Sequence, residues 1–382
     1  METAALMSAK LRLQEQAVGR FPRDARHRET LGLTRFRLRD YAGAARDLSE
    51  AFALDPKGFR SFVPLAQCHL ENGAPKDALT ICRKAADAGN DTAQLHAASA
   101  RGFAALGRHE EYLAAERRVV ERCATAGWAA EHLLRPAAMR GDGAALSTAL
   151  ESLPPVHYRG PVGRAYRAVA SGLLGRRDEA MWEMNAERFT RRVALEPPAE
   201  FGGAARFHAL LAEEILARED YESREDGQWR RVNRLSGGPG RAFPALAALV
   251  QPEIERYRRE WDSFDPDPLP VPDDYDMDAS GLVFTGPVKG RPHIHNHSAI
   301  TAVYHVAVPD NLSGRDGQLA LGECGRAAGP AGPVWDIRHI EAIPGMLTLF
   351  PAFLFHAVRP VNADRMRISI TFDTVPRDLE QL

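Results

Sequence analysis

The sequence is poor in cysteine and has no Cys-x-x-Cys pair. Its 382 residues include four cysteines, which are scattered along the chain: Cys68, Cys82, Cys123 and Cys324. This usage argues against a disulfide framework and against a zinc site built on cysteine, and it predicts buried thiols in a reducing compartment. A single nucleophilic cysteine stays an alternative.

Strong net charge and long apolar segments are also lacking. The formal net charge is −2, which argues against a general nucleic-acid-binding protein. The first residues show no basic segment followed by an apolar one, so we expect no secretory signal. The most apolar stretch, residues 346–358, is too short to span a bilayer. We therefore predict a cytoplasmic protein, without membrane or nucleic-acid partners, long enough for two domains.

A repeat of 34 residues runs through the first half of the chain. Gly73, Gly107, Gly141 and Gly175 are each 34 residues apart, and Arg39 holds the preceding position. This period is typical of tetratricopeptide helix pairs, and glycine suits the turn inside each pair because it tolerates a positive φ. The sequence predicts about five such pairs over residues 20–190, within an α-helical domain at residues 1–195.

Small residues recur where the two helices of each predicted pair cross closely. The first unit has Gly32, Ala44 and Ala51, and the second has Ala78 and Ala85 at equivalent places. The pattern weakens in the third and fourth units and returns in the fifth. Such an array offers a concave face for a peptide or protein. The alternative is a structural array that rigidifies the second domain or mediates homo-oligomerisation.

The second half is predicted to be a β domain with a helical lead. Residues 191–203 contain proline and glycine and are interpreted as a linker. The domain is placed at residues 200–382, with the lead at 204–262 and a β core at 280–376. Its predicted strands are Leu282–Thr285, His293–His295, Ile300–Val308, Gln318–Leu321, Met346–Phe350, Leu354–Val358 and Arg367–Phe372. Short strands without intervening helices predict a jelly roll, also called a double-stranded β-helix.

Three histidines and an arginine form the candidate site. His293 and His295 are two residues apart on a predicted strand, so their side chains point to one face. His356, from a distant strand, can meet them and complete a set of nitrogen ligands with one open side, as in non-haem iron sites. Arg367 would anchor an anionic co-substrate. A single histidine on a strand is usually a core residue, so the interpretation depends on the combination and its order.

These residues carry a resemblance to a known family. The motifs are Pro292-His-Ile-His295, Val303-Tyr304, Phe350-Pro351, His356 and Arg367-Ile-Ser-Ile-Thr-Phe-Asp373. Over about residues 285–376 the chain resembles the 2-oxoglutarate/Fe(II)-dependent oxygenase superfamily, and specifically a bacterial branch in which a tetratricopeptide array precedes the oxygenase domain.

The resemblance implies roles for six residues. His293 and His356 would be iron ligands, and His295 stands where the superfamily usually has Asp or Glu. Arg367 would form a bidentate salt bridge to the distal carboxylate of 2-oxoglutarate. Ser369 would add a hydrogen bond, and Tyr304 another. Two alternatives for the third ligand stay open, namely His297 or a carboxylate from elsewhere in the chain.

The implied activity is a dioxygenase that uses Fe(II) and 2-oxoglutarate and releases succinate and CO2. With the repeat array upstream, a peptide or protein side chain is the predicted substrate, and a small molecule stays open. Two other functions remain: an interaction scaffold with an inactive barrel, and a three-histidine dioxygenase independent of 2-oxoglutarate. A cupin is disfavoured, because Ala299 and Ile300 stand where cupins have Glu and ten residues separate Gly345 from His356.

Overall fold

The computed structural model describes residues 4–123, 126–224, 228–269, 274–287, 290–361 and 366–377. The chain divides into two compact units, residues 1–124 and residues 125–381. The helices from residue 127 onward therefore belong to the same compact unit as the β-sheets. The boundary between a helical domain and a β domain at residues 195–200 stays a prediction from the sequence.

The first unit is built from antiparallel helix pairs. Its helices, in chain order, are α1 Ala4–Arg20, α2 Ala25–Arg37, α3 Tyr41–Leu54, α4 Phe62–Glu71, α5 Pro75–Asp87, α6 Ala93–Ala105 and α7 His109–Arg122. Polar caps and proline define where several of them begin. The Asp24 carboxylate accepts from the backbone N–H groups of Arg26 and His27 at the start of α2, and Pro75 opens α5.

The 34-residue repeat corresponds to left-handed turn residues. Gly73, Gly107, Gly141 and Gly175 have φ values of 71°, 69°, 74° and 78°, and Arg39 adopts the same conformation with φ of 62°. Glycine carries no steric penalty there, which explains why it recurs at four of the five turns. The α-helical, tetratricopeptide-like part of the fold prediction is confirmed.

Close helix crossings explain the small residues. A Cβ atom placed on Gly32 would lie 2.7 Å from Cγ of Leu48, so α2 and α3 can pack together only because Gly32 lacks a side chain. Ala44 and Ala51 of α3 are buried at the same contact. Phe52, Phe59 and Phe62 extend this core as edge-to-face ring pairs.

The second unit contains eight described helices, six of which precede its first strand. They are α8 Gly127–Arg140, α9 Gly143–Glu151, α10 Pro155–Arg159, α11 Pro161–Leu173, α12 Arg177–Glu183, α13 Ala186–Phe189, α14 Ala204–Leu216 and α15 Ala242–Phe264. Short 3-10 turns lie at Ala199–Phe201, Leu235–Gly237 and Gly325–Ala328. In the part of the chain that the structure describes, no helix is both long enough and apolar enough to cross a membrane.

Within the described ranges, ten strands form two antiparallel sheets. They are β1 Arg191–Ala194, β2 Tyr221–Arg224, β3 Trp229–Val232, β4 Tyr275–Phe284, β5 Ile300–Ala307, β6 Leu319–Leu321, β7 Arg338–Ile340, β8 Met346–Pro351, β9 His356–Val358 and β10 Arg367–Pro376. The larger sheet has the order β1-β8-β5-β10-β4-β3-β2, and the smaller has the order β7-β6-β9. Among the described residues no pairing joins them, so the predicted jelly-roll domain consists of two sheets and not of a closed barrel.

Four strands differ from the sequence-based prediction. Residues 191–194 are predicted as linker, but they form β1 and pair with residues 346–349 of β8 at the edge of the large sheet. The β2–β3 hairpin lies inside the predicted helical lead, and β7 was also not predicted. Conversely, the predicted strand His293–His295 contributes only an isolated bridge between His293 and His356.

Strand β10 separates the core of the domain from its cavity. Ile368, Ile370 and Phe372 are buried on one face, and the Phe372 ring stacks on Phe243 of α15 with centroids 6.1 Å apart. The alternate residues Arg367, Ser369, Thr371 and Asp373 line a cavity on the other face. The two helices of the lead, α14 and α15, both contact β5 of the large sheet.

Candidate metal and co-substrate site

A cavity of about 690 Å³ lies in the second unit and is lined by residues of both sheets. Five of the six predicted site residues line it: His293, His295, His356, Arg367 and Ser369. Volumes of about 300–1,000 Å³ are usual for pockets that enclose a small molecule. The cavity therefore has room for a dicarboxylate and for part of a second ligand.

The three histidines meet in one cluster. One ring nitrogen from each of His293, His295 and His356 lies within 4.8 Å of the other two. The backbone fixes this arrangement: His293 and His356 exchange N–H to carbonyl hydrogen bonds of 3.0 and 2.9 Å, and the His295 N–H donates to the Ala352 carbonyl at 3.0 Å. Side chains from two distant segments are thereby held against each other.

Each of these histidines has an acceptor for its Nδ1–H group. The Nδ1 atom of His293 lies 2.8 Å from the Arg291 carbonyl, and Nδ1 of His356 lies 2.9 Å from the Leu354 carbonyl. The Nδ1 atom of His295 lies 2.6 Å from a carboxylate oxygen of Asp373. These acceptors select the tautomer in which Nε2 carries the lone pair, which is the usual way a protein orients histidine ligands for a metal.

In that tautomer the Nε2 atoms carry no hydrogen, so they cannot hydrogen-bond to one another. Nε2 of His295 lies 3.2 Å from Nε2 of His356. Two lone pairs at that distance repel each other, and a shared cation would remove the repulsion. The ring nitrogens therefore fit a metal ion on an observation that is independent of any sequence motif.

Burial keeps two of the three imidazoles neutral. Burial lowers the pKa of His356 well below its ordinary value, and the neighbouring His293 and His295 add to the effect. The enclosing protein, followed by His295, lowers the pKa of His293 to about 4, although this side chain borders the open cavity and is solvent-exposed. At neutral pH both imidazoles therefore keep the lone pairs that metal binding needs.

Asp373 stands behind His295. Its second carboxylate oxygen accepts a hydrogen bond of 2.7 Å from the Thr301 hydroxyl. Burial would raise the pKa of Asp373, but its interactions with His295 and the hydrogen bond from Thr301 outweigh burial and hold the pKa below its usual range. The carboxylate is thus ionised and acts on the cluster through His295. Its place six residues after Arg367 on one strand is the sequence signal that could have identified this role.

Arg367 forms the floor of an anion pocket. Its side chain is fully buried, and Nη1 donates to the Ser369 hydroxyl at 3.2 Å. Its Nε and Nη2 atoms have no hydrogen-bond partner among the described residues. Burial lowers the pKa of Arg367 to about 10, so the group stays a cation at neutral pH. A buried cation without a counter-ion is costly, which indicates that an anionic ligand completes this site.

His305 lies on the same face of the large sheet as Ser369, and no sequence motif indicated a role for it. Strand pairing places His305 of β5 opposite Ser369 of β10. The ring is buried, and neither ring nitrogen has a described partner. Burial lowers its pKa well below the ordinary value, and the charges of Arg367 and Arg192 lower it further. A neutral imidazole still has one N–H, so His305 offers a hydrogen-bond donor beside the Arg367 guanidinium.

Two other predicted candidates lie elsewhere. Tyr304 is buried on the opposite face of β5, and its hydroxyl hydrogen-bonds Nε2 of His208 at 2.8 Å. The structure therefore does not bring Tyr304 to Arg367 and Ser369. His297 lines the cavity, but its Nδ1 faces Oδ1 of Asn296 at 3.1 Å, and its ring is not part of the three-histidine cluster.

Two family models match the chain. Residues 287–373 match the model described as putative 2OG-Fe(II) oxygenase, and residues 36–102 match the model described as tetratricopeptide repeat. Both matches agree with the resemblance identified from the sequence motifs. No curated protein matches this chain in sequence.

Several solved structures are similar to parts of the chain. A Pseudomonas putida prolyl-4-hydroxylase is 18% identical over 52% of this chain and 98% of its own, with a TM-score of 0.35. A Trichoplax adhaerens prolyl hydroxylase, solved with a hypoxia inducible factor peptide fragment, is 15% identical over 54% and 93%, with a TM-score of 0.33. YrrB, a tetratricopeptide protein, is 14% identical over 45% and 89%, with a TM-score of 0.36. Because these TM-scores are low, the similarity to the oxygenase family and to tetratricopeptide proteins rests on the two family models.

Proposed function

Since the chain carries a 2-oxoglutarate- and Fe(II)-dependent oxygenase domain behind tetratricopeptide repeats, we propose that it hydroxylates a side chain of a peptide or protein. Proteins of this family use Fe(II) and 2-oxoglutarate. When both are bound, they supply the oxidation: O2 is consumed, 2-oxoglutarate loses CO2 to give succinate, and one oxygen atom enters a C–H bond.

The three-histidine cluster is the proposed iron site. His293, His295 and His356 would bind the metal through Nε2, with each Nδ1–H already committed to an acceptor. The cluster has no carboxylate ligand. The nearest negative charge is that of Asp373, which contacts the metal-distal nitrogen, Nδ1, of His295. A carboxylate that accepts from a metal-bound imidazole makes the imidazole a stronger ligand. The proposed role of Asp373 is to orient His295 and to strengthen it as a metal ligand.

The observation that carries the proposal is the free edge of Arg367. Its Nε and Nη2 atoms are buried in the same cavity as the three Nε2 atoms and have no described partner. A guanidinium edge matches a carboxylate in two parallel hydrogen bonds. Arg367, with Ser369 and His305 beside it, would hold the distal carboxylate of 2-oxoglutarate. A three-histidine dioxygenase that works without this co-substrate has no need for such a cation.

Two features support a peptide or protein substrate. The cavity of about 690 Å³ leaves room beside a five-carbon dicarboxylate. The helical repeats match the tetratricopeptide model over residues 36–102, and arrays of this kind commonly bind peptides on the concave face. The proposed division of labour is capture of the substrate by the repeats and oxidation in the β domain.

Succinate formation tests the proposal. The full chain, supplied with Fe(II), 2-oxoglutarate and O2, should release succinate slowly even without substrate, as measured by mass spectrometry. His356→Ala should reduce this release to background and lower bound iron, because one of three ligands is lost. His109→Ala, which changes an exposed histidine of the first unit, is the control and should behave as the unsubstituted protein.

Three outcomes would contradict the proposal. Succinate release by His356→Ala at the normal rate would exclude His356 as a ligand. Stoichiometric iron without any succinate would favour a scaffold with an inactive barrel. Oxygen consumption that does not depend on 2-oxoglutarate would favour the three-histidine dioxygenase.

A further inference from the structure

Four arginines that the oxygenase chemistry does not use line the same cavity. Arg135 comes from α8, Arg231 from β3, Arg291 from the segment before His293, and Arg326 from the 3-10 turn at Gly325–Ala328. Arg135, Arg291 and Arg326 are exposed, and Arg231 is half-buried. We call these four residues the arginine wall. Since they come from four separate segments, the fold concentrates the charge here, and no single basic stretch of sequence does.

The arginine wall has no matching set of acids. Arg135, Arg291 and Arg326 form no ion pair with any residue that the structure describes, and Arg231 donates only to the Ser280 hydroxyl, at 3.2 Å. The described acidic residues of the lining are Glu131 and Asp373. Asp373 is already held by His295 and Thr301.

The remaining acid does not balance the wall. Glu131 accepts a hydrogen bond from the Tyr166 hydroxyl at 3.3 Å, so a single carboxylate faces four guanidinium groups. The chain as a whole has 49 basic and 51 acidic residues, so the excess at the cavity does not follow from composition. Unpaired cations on the wall of a concave site raise the local concentration of anions.

Part of the remaining lining is apolar. Trp229, Leu282, Phe284, Val303 and Phe355 contribute to the same cavity. A ligand that fits this surface has an uncharged portion near the metal cluster and negative charge toward the exposed arginines.

We propose that the arginine wall binds the carboxylates of an acidic peptide segment, in which Asp or Glu residues flank the uncharged residue that reacts. This rests on the proposed function and names the class of its substrate. Guanidinium groups pair with carboxylates through two hydrogen bonds, and several such pairs would also fix the direction in which the segment crosses the cavity. All four arginines of the wall lie within the second unit.

Peptide pools of defined charge test the inference. Three fluorescein-labelled pools share a centre of randomised neutral residues and are flanked by Glu, Gln or Lys. Binding to the full chain, loaded with Mn(II) and 2-oxoglutarate under nitrogen, is measured by anisotropy. The Glu pool should bind about tenfold more tightly than the Gln pool at low salt, and the advantage should shrink at high salt, because exposed ion pairs are screened.

Variants of the wall locate the effect. Arg135→Gln/Arg326→Gln should reduce the preference for Glu flanks to about twofold or less, and Arg135→Glu/Arg326→Glu should reverse it toward the Lys pool. Arg140→Gln removes an exposed arginine of α8 that does not line the cavity, and it should retain the preference. Thermal melting of each variant checks that it folds.

The outcomes separate this inference from the proposed function. Equal binding of the Glu and Gln pools would overturn the inference, as would an unchanged preference in the folded charge-reversal variant. Tighter binding of a dT oligonucleotide of equal charge would also overturn it, in favour of a nucleic-acid ligand. The release of succinate without peptide tests the proposed function alone. Succinate release without charge preference would contradict only the inference, and charge preference without succinate only the proposed function.

Discussion

Two buried arginines of the second unit have opposite surroundings. Arg164 of α11 donates two hydrogen bonds to the Asp265 carboxylate, at 2.5 and 2.9 Å, and one to Glu183 at 2.8 Å. Arg367 is equally buried, but it has one neutral partner, Ser369, and two orphaned nitrogens. The pKa values reflect this: the carboxylates around Arg164 outweigh its burial and raise its pKa, whereas burial lowers that of Arg367 to about 10.

Arg164 is therefore a structural cation, whereas Arg367 is a buried cation without an anionic partner among the described residues. The network of Arg164 is complete within the chain and joins α11 to the end of α15. The network of Arg367 lacks its anion, so the free protein bears an uncompensated desolvation penalty of several kcal/mol. A folded protein is stable by only about 5–15 kcal/mol in total. A penalty of this size at Arg367 is understandable if ligand binding offsets it by supplying the missing anion.

The largest expected effect comes from replacing each arginine by methionine. Arg164→Met should lower the free energy of unfolding by about 3–5 kcal/mol, because Asp265 is left buried without its cation. Arg367→Met should instead raise the melting temperature of the ligand-free protein, since it removes an unpaired charge. It should also raise the KM for 2-oxoglutarate at least ~100-fold, since two hydrogen bonds to charged groups are worth about 3 kcal/mol or more.

Thermal melting measures the stability changes, and succinate release at increasing 2-oxoglutarate concentrations measures the KM. The exposed Arg259 of α15 supplies the control, and Arg259→Met should change neither quantity. If Arg367→Met lowered the melting temperature as Arg164→Met does, both arginines would be structural. The comparison would then fail.

A smaller effect is expected at Asp373, where the carboxylate is paired with a proposed ligand and not with an arginine. Asp373→Asn keeps the shape of the side chain but removes its charge, and partners of this kind usually change metal affinity by about 10–100-fold. Titration with Mn(II) in the absence of O2 measures the affinity without turnover. Asp278→Asn is the matched control, because Asp278 lies opposite Asp373 on β4. Equal affinities for the two variants would contradict the role given to Asp373.

The sequence predicts the parts of the site that follow from local spacing. The interval of two residues places Arg367 and Ser369 on one face of β10, because strands alternate their faces. His293 and His295 also meet, although their segment forms only an isolated bridge. The repeat of 34 residues predicts left-handed turns, and Arg39 has that conformation despite its side chain. These features require no knowledge of which segments pair.

The remaining features depend on pairing between distant segments. Tyr304 and His305 are neighbours on β5, and a sequence cannot tell which of them faces Arg367. The register of β5 against β10 decides this, because it sets His305 opposite Ser369. Strand β1 is similar: Arg191–Ala194 has no strong strand pattern, and its extended form follows from pairing with β8. Tertiary contacts thus determine both the third group of the anion pocket and the edge of the sheet.

The smallest expected effect concerns His305, and it tests whether this imidazole, like Arg367, lacks a hydrogen-bond partner in the ligand-free protein. Its folded-state pKa lies well below the ordinary value near 6.5, so the unfolded chain takes up a proton that the folded chain does not. Stability from this residue is therefore present above pH 6.5 and is lost as the pH falls, by up to about 1.4 kcal/mol per pH unit. His305→Phe removes the titrating group. Between pH 6.5 and 5.5 the unsubstituted protein should lose about 1 kcal/mol more unfolding free energy than this variant.

Urea unfolding, followed in the transition that Mn(II) shifts, measures the difference, and His109→Phe serves as control. Parallel curves for the unsubstituted protein and His305→Phe would mean that His305 has a proton-binding partner in the ligand-free state, and the anion pocket would then consist of Arg367 and Ser369 alone.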